Sequence, residues 1–70
     1  MNVQVETHSG CKADEYPMRF RIGDAVLDVI EIEDRWYGPG YAYFRIFASD
    51  AKRYMLRQSL EDRSWTAQTL

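Results

Sequence analysis

A chain of 70 residues with a formal net charge of −2 makes one domain that buries only about 60% of the surface its unfolded form exposes, which argues against a deep substrate cleft. A hydrophobic content of 46% beside 29% charged residues argues for a folded domain against disorder. The mild negative charge gives no global pull toward nucleic acid or an anionic membrane, although a local basic patch is compatible with it.

No apolar run approaches the roughly 20 residues of a transmembrane helix, and Met1-Asn-Val-Gln-Val-Glu-Thr7 is unlike a signal peptide. The single Cys11 cannot make an internal disulfide and fits a reducing compartment. The expected location is the cytoplasm, with no membrane partner.

Val3 and Val5 alternate with Gln4 and Glu6, a short strand signal over residues 2–7. Ser9 to Pro17 reads as a loose connection of loop residues. Met18, Phe20 and Ile22 then alternate with Arg19 and Arg21, giving a strand with one apolar and one basic face, and Gly23-Asp24 turns the chain. The next strand, Ala25 to Tyr37, is too long for one alternation, because Leu27 and Val29 share one parity while Ile30, Ile32 and Trp36 share the other. One extra residue near Val29-Ile30, a bulge, brings both sets to the same side and bends the strand.

Gly38-Pro39-Gly40 supplies the reversal. Tyr41 to Ala48 forms the second arm of a long hairpin, with Ala42, Phe44, Ile46 and Ala48 on one face. Ser49 to Lys52 and Glu61 to Ser64 read as turns, flanking strands at residues 53–59 and 65–70. Asp50 to Arg63 tolerates a helix, but the strand reading is preferred, since Arg53-Tyr-Met-Leu-Arg-Gln58 follows a short turn directly after a strand.

The predicted fold is all-β, a five- to six-stranded antiparallel meander. A flat sheet of this size leaves an apolar face wet, so it is expected to close into a small, SH3-like, partly open barrel. Residues 1–16 would supply an N-terminal strand and loose loop, and residues 17–70 the barrel core, within a single domain. A three-residue loop at Gly38 to Gly40 puts Tyr37 opposite Tyr41, Arg35 opposite Tyr43 and Glu33 opposite Arg45, with Trp36 on Ala42 and Ile32 on Ile46 in the other parity. The expected core is Phe20, Ile32, Trp36, Phe44, Ile46, Leu56 and Trp65, with the two tryptophans plugging its mouths.

Val29-Ile-Glu-Ile-Glu-Asp-Arg-Trp-Tyr37, followed by Tyr43-Phe-Arg45, Tyr54-Met-Leu-Arg57 and a late Trp65, resembles small bacterial domains. These carry a V-x-E-V-x-D-R-W segment, a Y-Y/F-R-V strand and a closing R-W strand. Such domains stand alone or accompany proteins related to Y-family DNA polymerases, and have no established activity. The resemblance covers residues 18 to 70. It implies a β domain linked to DNA-damage tolerance by association.

Catalytic constellations are sparse. His8 and Cys11 are the only imidazole and thiol, short of a three- or four-ligand zinc set and without the orienting group that a nucleophile pair needs. Asp28, Glu31, Glu33 and Asp34 fit the solvated face of a strand better than an acid/base pair or a cation site. Gly38-Pro-Gly40 lacks the lysine and the following helix of a phosphate loop, so no cofactor is expected. The one functional surface expected is the outer face formed by Arg35, Tyr37, Tyr41, Tyr43, Arg45, Phe47 and Arg57. Tyrosine and arginine are enriched at protein interfaces, while rings interleaved with guanidinium groups also stack bases and hold phosphates. The expectation is a non-catalytic module that binds a protein or pairs with itself, with single-stranded nucleic acid as the alternative partner.

Overall fold

The computed structural model describes residues 2–9 and 15–70. Six strands follow one another: β1 (Asn2–Ser9), β2 (Glu15–Ile22), β3 (Ala25–Gly38), β4 (Tyr41–Ala48), β5 (Arg53–Ser59) and β6 (Trp65–Thr69). Each pairs antiparallel with the next, and β6 returns to β1, so the meander closes into a small all-β barrel. The seam is short, with Asn2 opposite Thr66 and Val3 opposite Trp65. The helix-tolerant window is strand β5 with its flanking turns, as its position after a tight turn implied.

β1 is a wall of the same barrel. It runs beside β2 from Gln4 opposite Arg21 to Ser9 opposite Glu15, and Val3 and Val5 pack against the core. Of the expected loose connection from Ser9 to Pro17, Ser9 and Glu15 to Pro17 stand in the β1–β2 ladder, and residues 10–14 lie outside the described residues. Cys11 lies outside the described residues.

β3 makes the curvature. Ala25 to Asp28 pair with β2, while Val29 to Gly38 pair with β4. The register shifts between Val29 and Glu31, where a bulge was expected, and again between Ile32 and Asp34. Each extra residue bends the strand and swaps its parity. The first shift leaves Ile30 61% exposed, while Leu27 is buried and Val29 and Ile32 pack against the core. The second shift was not expected, and it reverses the tip of the hairpin.

At that tip Gly38 stands opposite Tyr41, so Pro39-Gly40 is a two-residue turn and not the middle of a three-residue loop. Gly40 has a φ of +78°, which fits Pro-Gly at the centre of a type II turn. The Gly40 carbonyl also accepts the Leu60 amide at 2.9 Å, tying the β5–β6 turn to the hairpin.

Phe20, Phe44, Ile46 and Leu56 are essentially buried, with Trp65, Tyr54, Leu27 and three alanines completing the core. Ala42, Ala48 and Ala67 occupy inward positions beside bulky Phe44, Ile46 and Leu56, the alternation that lets side chains fill a narrow barrel. Trp65 closes one region of this interior, 5.6 Å from the Phe44 ring. Trp36 does not: it is 39% exposed on the outer surface, the consequence of the second bulge. Phe44→Ala is expected to cost about 3–5 kcal/mol, and Tyr43→Ala on the outer face clearly less. Equal losses in urea denaturation would contradict this assignment of inside and outside.

The β4–β5 turn is held by Asp50. Its carboxylate accepts the Tyr54 hydroxyl at 2.6 Å and the Lys52 amide at 3.0 Å, while Ala51 takes a φ of +65°. The Tyr54 hydroxyl holds the Asp50 carboxyl below its ordinary 3.8, and the same bond, with burial, raises Tyr54 above 10.0. A lowered carboxyl stabilises the fold above its unfolded value, and this is lost as pH falls through the folded one; a raised phenol stabilises below pH 10 and loses this as pH rises further. Tyr54→Phe should flatten both limbs of the stability–pH curve measured by urea titration. Parallel curves for the two proteins would contradict the coupling.

Candidate interaction face

The cross-strand register assembles one continuous outer face on β3 to β6. Trp36 stands opposite Tyr43 and Asp34 opposite Arg45. Across the next ladder Tyr43 meets Arg57, Arg45 meets Met55 and Phe47 meets Arg53, and Arg57 and Met55 in turn meet Thr66 and Gln68. Strand periodicity sets the β4 part of this pattern, because the inward Ala42, Phe44, Ile46 and Ala48 leave Tyr41, Tyr43, Arg45 and Phe47 outside.

The rings form an ordered array. Trp36 and Tyr43 are stacked at 5.4 Å with 8° between their planes, and Tyr41 lies 6.2 Å from Tyr43. The Arg57 guanidinium sits 4.5 Å over the Tyr41 ring, and that of Arg53 sits 5.2 Å over Phe47. Such contacts stiffen long side chains at little entropic cost. Gly38 lies close under this packing: a Cβ there would stand 3.2 Å from Tyr43 Cε2, so the ring would have to shift by a few tenths of an ångström.

The charges are organised around Glu33. Both its oxygens accept Arg53 Nε, at 2.9 and 3.0 Å, and Arg45 Nε lies 3.9 Å away. The Glu33 side chain is only 19% exposed, so it is a seated anchor between two arginines. The cross-strand partner expected for Glu33 was Arg45. The bulge hands that position to Asp34, and Arg53 becomes the main partner.

Of the residues expected on this face, Tyr41, Tyr43, Arg45, Phe47 and Arg57 are brought together. Arg35 and Tyr37 are not. They pair with the inward-facing Phe44 and Ala42; the Arg35 guanidinium lies 5.4 Å from the Phe44 ring, and its Nη2 donates to the Tyr37 hydroxyl at 3.2 Å. The second bulge moves both to the other side of β3 and puts Trp36 in their place. Arg53, Met55, Thr66 and Gln68 were missed. The parity of β5 beside β4 pointed to the first two, and Pro39-Gly40, taken as a two-residue turn, pointed to Trp36.

Asp28 of the acidic set lies elsewhere and accepts Arg19 Nε at 2.8 Å, a bond that raises the Arg19 guanidinium above its ordinary value. The His8 ring packs 5.3 Å from Tyr16. Among the described residues, no group of three or more His, Cys, Asp or Glu is arranged to hold a metal ion.

Comparison with protein-family models, curated proteins and solved structures gave no match to this chain.

A double-mutant cycle between Trp36→Ala and Tyr43→Ala is expected to return a coupling of about 0.5–1.5 kcal/mol, the worth of a stacked pair. Additive losses would show that the two rings do not stack in solution.

Proposed function

We propose that this protein is a non-catalytic interaction module that binds another protein through the outer face of β3 to β6. The observation that carries the reading is the nearly parallel stack of exposed Trp36 on half-buried Tyr43, continued by Tyr41 and Arg57. Preordered aromatic rings and arginines are the side chains that dominate binding energy at protein interfaces. The electrostatics of the face support the same reading. Arg45, Arg53 and Arg57 share it with Glu31, Glu33 and Asp34, so it carries no net field to attract a polyanion. The non-catalytic reading rests on Glu33, whose carboxylate is committed to two guanidinium groups.

A second reading has one observation in its favour. Rings interleaved with arginines on a small barrel are also how single-stranded nucleic acid is held, and the resemblance to domains that accompany Y-family polymerase-related proteins points the same way.

The test is a pull-down from extract of the cells that make the protein, beside an NMR titration with oligothymidylate. A protein partner retained by the wild type and lost with the folded Trp36→Ala/Tyr43→Ala double variant is expected, with no oligonucleotide shifts at Tyr41, Tyr43 or Arg57. Steeply salt-dependent oligonucleotide binding, weakened by about 1–3 kcal/mol in Tyr43→Ala, would establish the second reading instead.

A further inference from the structure

The cations of the face are not equivalent. Arg45 and Arg53 share the Glu33 carboxylate. Among the described residues, Arg57 has no carboxylate within ion-pair distance; its guanidinium rests over the Tyr41 ring instead. An arginine held on a ring keeps N–H groups for a second partner, and its planar fork fits a carboxylate in bidentate fashion. Thr66 stands directly opposite Arg57, with Gln68 one step further along β6 on the same face. Together with Tyr43 and Met55 they line a shallow depression beside the guanidinium, and the hydroxyl and amide of Thr66 and Gln68 can add neutral hydrogen bonds to a bound carboxylate.

Trp36, on β3, is two strand spacings from Arg57 on β5, or roughly 10 Å. Residues two or three apart in an extended chain span about 7–10 Å, so one short segment can reach both. Resting on the protein-binding reading above, we infer that the partner segment is an extended acidic peptide. One carboxylate side chain of it is taken by Arg57, and an apolar ring two or three residues away lies on Trp36. The charge layout sets the class of anion. A single carboxylate matches Arg57, the arginine of this face that, among the described residues, has no carboxylate partner, whereas the further phosphates of a nucleic acid strand crossing toward Trp36 would meet Asp34, two residues before it on β3.

The test is an NMR titration of the full chain with acetyl-Phe-Gly-Glu-amide and acetyl-Glu-Gly-Phe-amide, each beside its glutamine counterpart, and with the trinucleotide of thymidylate. One glutamate peptide should shift the Arg57 Nε–H, Gln68 amide and Trp36 indole signals at millimolar concentration. Its glutamine counterpart, and the glutamate peptide on Arg57→Gln of unchanged melting temperature, should bind at least fivefold more weakly. Equal binding of the glutamine peptide, stronger shifts with the thymidylate, or movement of the same signals with protein concentration alone would each overturn the inference, the last by naming a second copy as the occupant. In the pull-down, Trp36→Ala losing the partner while Arg57→Gln keeps it would overturn the acidic peptide and leave the protein-binding reading standing. Retention by both variants would overturn both.

Discussion

The structure depends on one strand serving two halves of a closed sheet. β3 pairs with β2 at its beginning and with β4 for the rest of its length, and a regular strand of that length would run past the curve of so small a barrel. The bulges at Ile30 and Glu33 supply the bend. They also decide which side chains enter the core. Leu27, Val29 and Ile32 face or border the interior, and each bulge leaves two successive residues on the outside. The exposed Ile30 is one cost of this arrangement, since an apolar side chain in water forgoes the gain of burial.

The remaining core follows from the narrowness that this curvature imposes. Phe44, Ile46 and Leu56 fill the interior only because Ala42, Ala48 and Ala67 give way beside them. The closure between β1 and β6 is short, so Val3, Val5 and the buried Trp65 contribute apolar packing where the ladder contributes few hydrogen bonds. The turns are fixed by side chains as much as by backbone: Asp50 binds Tyr54 and Lys52, and Asp62 binds Ser64. Both motifs offset the left-handed backbone that Ala51 and Arg63 adopt close by.

Much of this was legible in the residues. Period-2 alternation marked the strands, and the clash of parities around Val29-Ile30 required a bulge, which is where the first one lies. Phe20, Phe44, Ile46, Leu56 and Trp65 were identified as core from the same alternation. The second bulge was not legible, because Glu33-Asp34 is a pair of like side chains, and either can stand on a solvated face without breaking the apolar pattern. Its effect was large: every residue beyond it changed side, which exchanged Arg35 and Tyr37 for Trp36 on the aromatic face. Tyr54 escaped the core list because a tyrosine reads as amphipathic until a partner for its hydroxyl is seen, and that partner, Asp50, sits in a turn.

The outer face inherits its character from that exchange. With Trp36 outside, four rings and three arginines lie on one surface whose charges balance, and the functional reading stands on this placement. The most direct test is the cross-strand NOE pattern of the β3–β4 hairpin in solution. The account predicts contacts between the Trp36 indole and the Tyr43 ring, and between Arg35 and Phe44. Contacts of Trp36 with the Ala42 methyl and of Arg35 with Tyr43, the register of a three-residue loop, would contradict it.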